Sequence, residues 1–305
     1  AGDGLSAYGP TANSMYIKMD MATITIGNAT NAITNSVPRI SAMVPGGGTD
    51  NGFQFLFDGG NLATKGVQFS EAYYAMSNSS VTITSASING FTIAGTYAPD
   101  MGYNSADGIG RADQGDHSAS HGESLHVGAS YSAEIEGLSY TIGAGVATGN
   151  STNPAQSTVD GTTSGNNELA IITAAVKANM GNITMGASMY DNGDSWGNKV
   201  DAIKSSDSGY TLAMEYAMGS ITLGAGYAHQ ELVRGTEQQS VATTLTAAAA
   251  GNTREDTVMY FGINYNMGGG VNTYAQLSNI DHSDGDSATV ETDPQVLIAG
   301  ITIGF

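Results

Sequence analysis

The chain contains no cysteine, which excludes thiol catalysis, thiolate metal centres and a disulfide scaffold. It also has little charge: Asp, Glu, Lys and Arg supply 12% of its 305 residues, about half of the roughly 25% found in ordinary globular chains. A soluble domain of this size covers itself with charge. A surface this poor in it either faces something other than water or is capped by neutral polar loops. The charge that exists is mostly of one sign, 28 acids against 9 bases for a net −19. Without a basic face to neutralise phosphates, nucleic acid is excluded as a partner. No uninterrupted apolar run reaches the ~18–20 residues of a membrane helix. If the chain crosses a bilayer, it crosses with strands.

What is abundant points the same way. The 42 Gly and 15 Tyr, with many Thr, Ser and Asn, form a composition that suits strands and reads poorly as helix at any position. From residue 81 onward the hydrophobic period is two. In Phe91-Thr92-Ile93-Ala94-Gly95-Thr96-Tyr97 the large apolar residues take every other place, and Leu138–Ala144, Ile183–Met189 and Ile221–Tyr227 repeat the pattern. Such segments are strands with one apolar face and one small, polar face.

This criterion predicts thirteen strands, near 13–19, 22–27, 81–88, 91–98, 124–132, 138–148, 168–178, 183–190, 209–216, 221–233, 256–266, 271–280 and 295–305. Their connections alternate between short (20–21, 89–90, 133–137, 179–182, 217–220, 267–270) and long (28–80, 99–123, 149–167, 191–208, 234–255, 281–294). Tight turns at one end and long loops at the other describe an up-and-down meander. Strands of this length suit a transmembrane barrel, where ~9–11 tilted residues cross the apolar layer and all backbone groups pair between strands. In a soluble sandwich the second face would carry charge. Here it carries Gly, Ser, Thr and Ala with scattered Lys18, His126, Lys177, Glu215, Asn264 and Gln276, a mixture that a water-filled interior tolerates.

The aromatics give an independent check. Phe91, Tyr131, Tyr140, Tyr216, Tyr265 and Phe305 fall on the apolar face beside the short turns, and Tyr97, Tyr210 and Tyr227 fall toward the other end. Two aromatic bands are expected where rings meet lipid headgroups.

The last strand, Val296-Leu297-Ile298-Ala299-Gly300-Ile301-Thr302-Ile303-Gly304-Phe305, resembles the C-terminal strand of bacterial outer-membrane barrels, whose terminal aromatic is read by the barrel-assembly machinery. Asn89-Gly90-Phe91 through Tyr97-Ala98-Pro99-Asp100 is similar to the strand that follows the constriction loop in general-diffusion porins of alphaproteobacteria. Met15–Met19 with Ile24–Asn28 resembles the hairpin before that loop, although Asp20-Met21 stands where the family usually has Gly-Phe or Asp-Phe. The resemblance implies an all-β, sixteen-stranded transmembrane barrel, treated as one domain over 1–305. Counting back from Phe305 makes 81–88 strand six and 22–27 strand five, so that 28–80 falls where the constriction loop folds into the pore. On this count residues 1–12 are the tail of an external loop, and three earlier strands, roughly 60–80 residues at ~9–11 per strand plus connections, are expected to precede the sequence. An odd set of thirteen strands cannot close antiparallel.

A diffusion pore needs no nucleophile; its chemistry is a cross-section and a field. Loop 28–80 offers Asp50, Asp58 and Glu71 as acids and Arg39 and Lys65 as bases, while Tyr16 and Lys18 are expected on the lumenal wall, since a lipid-facing Lys near the midplane costs about 2–4 kcal/mol. Plain solvation outside the constriction is the other reading for each loop charge. Two clusters, Asp116, His117, His121 and Glu123, and Asp281, His282, Asp284 and Asp286, mix His with acids: calcium or another divalent cation is one reading, solvated loop charge the other. No cofactor is otherwise required. Loops 99–123, 191–208 and 281–294 hold fourteen of the 28 acids, either as solubilising charge or to bind cations that bridge lipopolysaccharide phosphates. The expectation is an outer-membrane channel passing small hydrophilic solutes and favouring cations, homotrimeric as the resemblance implies and without enzymatic activity. A plugged barrel serving as an adhesin is the alternative.

Overall fold

The computed structural model describes residues 14–27, 30–48, 80–100, 121–151, 157–159, 162–164, 167–195, 206–233, 253–283 and 295–304. The first strands are β1 (Ser14–Lys18), β2 (Ala22–Gly27), β3 (Ser80–Ser85), β4 (Phe91–Asp100), β5 (His121–Ile135) and β6 (Leu138–Ser151). After a small separate hairpin, β7 (Ser157–Val159) and β8 (Thr162–Ser164), follow β9 (Leu169–Met180), β10 (Ile183–Asp191), β11 (Ser206–Met218), β12 (Ile221–Val233), β13 (Thr253–Gly268), β14 (Val271–Ser283) and β15 (Gln295–Ile303). Apart from the hairpin they form one thirteen-stranded sheet in sequence order. Every pairing is antiparallel. Among the described residues β1 and β15 are not paired with each other.

The thirteen expected strands are all present, but most are longer than the alternation predicts. The strand expected at 124–132 runs over His121–Ile135, that at 209–216 over Ser206–Met218, and that at 256–266 over Thr253–Gly268. The reason is physical. The hydrogen-bonded ladder continues past the apolar band, where the outer face no longer needs large hydrophobic residues and the period-two signal fades. The hairpin β7–β8 also lies where only a loop is expected. At the short-turn end the connections tighten to two residues. In Asn89-Gly90 both residues have positive φ (51° and 87°), the conformation of a type I′ turn whose twist matches that of the paired strands. Glu136-Gly137 repeats it at 50° and 83°.

The sheet is apolar on its outside. Met15, Phe91, Ile93 and Ile301 are more than half exposed, whereas Thr82, Thr96, Ser124, Thr211 and Gln276, which point to the other face, are 0–1% exposed. The sequence alternation is thus read out with the large apolar residues outward, the arrangement that lipid rather than water stabilises. Phe91, Tyr131, Tyr140, Tyr216 and Tyr265 sit on the outer face at the short-turn end, and Tyr97, Tyr210 and Tyr227 on the same face toward the other end. Ring centroids lie 4.4 Å apart for Phe91–Tyr131, 6.0 Å for Tyr131–Tyr140 and 5.9 Å for Tyr210–Tyr227. Phe305 lies outside the described residues.

The register makes the two faces separable by mutation. Ala144 is exposed on the outer face in the middle of β6, while Thr141 shares the inner face through its pairing with Lys177. Ala144→Arg is expected to lower the folding free energy in lipid vesicles by about 2–4 kcal/mol and Thr141→Arg by less than about 1 kcal/mol. Guanidinium-driven unfolding in vesicles measures both.

Candidate functional site: a strap across the inner face

The inner face carries a second layer. Residues 30–48, within the connection between β2 and β3, run across it from β3 to β14 as a strap. The strap opens with a short helix, α1 (Ala32–Ser36), although the composition reads as helix-poor throughout. The Asn31 side chain makes the helix possible by accepting the Thr34 N–H at 2.9 Å, a cap that offsets the unpaired donors of the first turn. Below the helix the wall supplies a partner for another donor: Ala32 N–H donates to Thr96 Oγ1 at 2.8 Å. Thr96 is in turn 2.8 Å from Thr82 Oγ1.

The strap lies so close to the wall that side chains beneath it are missing. A Cβ at Gly128 would stand 2.4 Å from Ala32 O, one at Gly143 2.1 Å from Ser36 O, and one at Gly262 2.0 Å from Pro45 O. No residue larger than Gly fits there without moving backbone. The strap's apolar side chains fill what remains: Ile33, Val37, Ile40, Met43 and Val44 are buried in one cluster with Leu169, Ile171, Ala213, Val258 and Tyr260 of the wall. At its far end the strap is pinned. Gly48 N–H donates to Gln276 Oε1 at 2.9 Å, and Gln276 Nε2 donates to Gly48 O at 2.8 Å. This reciprocal pair has the pattern of an antiparallel backbone contact. Gln276 Nε2 also donates to Ser278 Oγ at 3.0 Å.

The expected site residues divide as follows. Tyr16 pairs with Thr25, which pairs with buried Thr82, so Tyr16 and Lys18 occupy the inner-face register, exposed on the edge strand β1. Arg39 lies exposed on the strap. Asp50, Asp58, Lys65 and Glu71 lie outside the described residues, so only basic members of the expected acid–base field are seen. Of the two His-acid clusters, Asp116, His117, Asp284 and Asp286 are likewise outside. Glu123 occupies a register irregularity in β5 and accepts Asn150 Nδ2 at 2.7 Å. Asp281 is exposed on β14 opposite Thr257, and His121 and His282 are placed only by their backbones in β5 and β14. Among the described residues no three His, Asp or Glu side chains are grouped to hold a metal.

One expected loop acid is not solvated. Asp207 is 8% exposed because β11 begins at Ser206, one residue before it. Its carboxylate accepts Asn192 Nδ2 at 2.9 Å, Gln230 Nε2 at 3.2 Å and the Tyr190 hydroxyl at 3.3 Å. This network ties β10, β11 and β12 together at the long-loop end. The signal for it was present in the sequence, since Asp207 lies an even number of residues from the inward Thr211 and Ala213, but the alternation in its neighbours was too weak to extend the strand. Gln276 was placed on the inner face by parity, while its partner, 228 positions away in sequence, has no local signature.

A family profile described as Gram-negative porin matches residues 2–285. Among solved structures, the chain is similar to a loop-deletion mutant of OmpT, an outer membrane protein of Vibrio cholerae. The TM-score is 0.56 at 13% identity, over 95% of this chain and 78% of that one. It is similar to a mutant of the Rh. blastica porin with a TM-score of 0.52 at 17% identity, over 99% and 81% of the two chains. An anion-selective porin from Comamonas acidovorans gives 0.50 at 12% identity, over 95% and 75%. No curated protein sequence matches. At these identities the structural matches establish the fold.

The pin sets an expectation of its own. Gln276→Leu leaves the Gly48 N–H and C=O buried without partners, at roughly 1–3 kcal/mol for each orphaned group. Limited proteolysis of the folded protein is expected to cut within 30–48 in this variant and to spare the parent.

Proposed function

The chain belongs to the Gram-negative porin family, and we propose that within this class of outer-membrane, non-enzymatic channels it is a general-diffusion pore narrowed by the segment 28–80. The observation that carries this reading is the strap. Residues 30–48 lie across the inner face and are tied to the wall at both ends, at Thr96 and at Gln276. A segment so fixed reduces the cross-section of a lumen permanently, which is what a size limit for small hydrophilic solutes requires.

We also infer a preference for cations. The fold does not set the sign of selectivity, since a structural neighbour of the same fold is anion-selective; the charges do. With 28 acids against 9 bases, fourteen of the acids in 99–123, 191–208 and 281–294, the mouth loops carry a negative potential that concentrates cations. Asp207 leaves this set as a solvated charge because it is buried and bonded. The remaining loop acids are candidates for calcium, which would also bridge lipopolysaccharide phosphates. The exposed apolar outer face is the surface for lipid and for neighbouring copies in a homotrimer.

Planar bilayers test the proposal. Stable single-channel steps are expected, with a reversal potential in a KCl gradient of the sign for cation excess. That excess should shrink as ionic strength rises from about 0.1 M to 1 M and the Debye length falls from about 10 Å to 3 Å. Absence of open steps would favour a plugged adhesin, and a reversal potential of opposite sign would overturn the cation preference.

A further inference from the structure

On the short-turn side of the strap the inner face holds a cavity of about 390 Å³, roofed by Pro45–Gly47 and walled by Glu215 of β11, Thr222 of β12, Asn264 of β13 and Tyr274 of β14. Its volume lies in the range of small-molecule sites, roughly 300–1,000 Å³. The four wall residues are neighbours by register: Thr222 faces Asn264, Asn264 faces Tyr274, and Glu215 faces Gly224, two residues along β12 from Thr222. The cavity is formed where the strap is held tightly. A Cβ at Gly224 would stand 2.6 Å from Pro45 Cδ, and one at Gly46 2.6 Å from Gln276 Cβ. The Tyr274 ring packs on the wall at Gly300, where an added Cβ would meet its hydroxyl at 2.5 Å.

From this geometry we propose that the cavity is a solute subsite of the pore and that it takes small polar solutes bearing an ammonium group, of the size of an amino sugar or amino acid. Among the described residues Glu215 is the single charged side chain in the lining and is half-buried on the inner face, so it attracts a cation where the field is less screened than in bulk water. Tyr274 adds an aromatic ring, which attracts cations through its face. Thr222 and Asn264 supply a hydroxyl and a carboxamide, donors and acceptors suited to a hydroxylated body. Such a site holds a solute weakly, and weak holding favours passage through a channel.

The subsite rests on the reading of the chain as an open pore, and the experiment separates the two. N-methyl-D-glucamine, a polyhydroxylated cation, and sorbitol, its neutral counterpart, are added on the short-turn side of single channels in about 0.1 M KCl, where screening is moderate. The readout is excess open-channel current noise. N-methyl-D-glucamine is expected to half-saturate the noise at a concentration at least ~10-fold below that of sorbitol, the size of one charge-assisted contact. Glu215→Gln should bring the two probes within about twofold of each other while leaving the channel open, and Tyr274→Leu should weaken the cation alone. If Glu215→Gln does not assemble, Asn264→Ala carries the test and is expected to weaken both probes. Equal noise from both probes on the parent channel, or an unchanged ratio in Glu215→Gln, overturns the subsite. Failure to see any open step overturns instead the pore on which it rests.

Discussion

The constraint on which the rest of this structure depends is that backbone N–H and C=O groups have no water to bond in hydrocarbon. A chain without a single long apolar run meets it by pairing every strand with its neighbours, and the thirteen-stranded meander follows. The same constraint fixes the two faces. Once the ladders use the backbone, side chains alone distinguish lipid from lumen, and a period of two sends Ile93, Val127 and Ile142 one way and Thr96, His126 and Thr141 the other. The short turns complete the arrangement. Asn89-Gly90 and Glu136-Gly137 adopt positive φ so that the chain reverses in two residues and the next strand begins in register.

Because the outer face is reserved for large side chains, the inner face is left with small ones, and this is what admits the strap. Gly128, Gly143 and Gly262 are sites where the backbone of one layer touches the backbone of the other. The buried cluster of Ile40, Val44 and Leu169 is therefore a conventional hydrophobic core, but it lies inside the sheet's polar face and serves to fix a segment rather than to hold the strands together. Polar bonds to Thr96 and Gln276 then decide where along the wall the segment rests. The same segment roofs the cavity at Glu215.

The strands, their number and their two faces were legible in the sequence because alternation is a local signal that many residues repeat. Legibility ended wherever one contact did the work. Asn31 as a helix cap, the β7–β8 hairpin and the inward turn of Asp207 each depend on one or two residues set among polar neighbours, where no period exists to read. Glu215, Asn264 and Gln276 were assigned to the inner face by parity alone, yet nothing in their spacing indicates that two of them share a cavity and the third grips Gly48. The constriction residues expected at Arg39 and Lys18 illustrate the same limit, since parity places Lys18 on a face and says nothing of what stands opposite.

The pin between Gly48 and Gln276 joins residues 228 positions apart, and that separation orders the assembly of the molecule. The strap leaves the sheet after β2, and among the described residues its far end is bonded on β14, nearly the whole meander later in sequence. Closing so long a loop is entropically costly until the intervening strands bring its ends together. The strap therefore settles late. The growing sheet can pair with its inner face uncovered, and the strap takes its final place as one of the last events of folding.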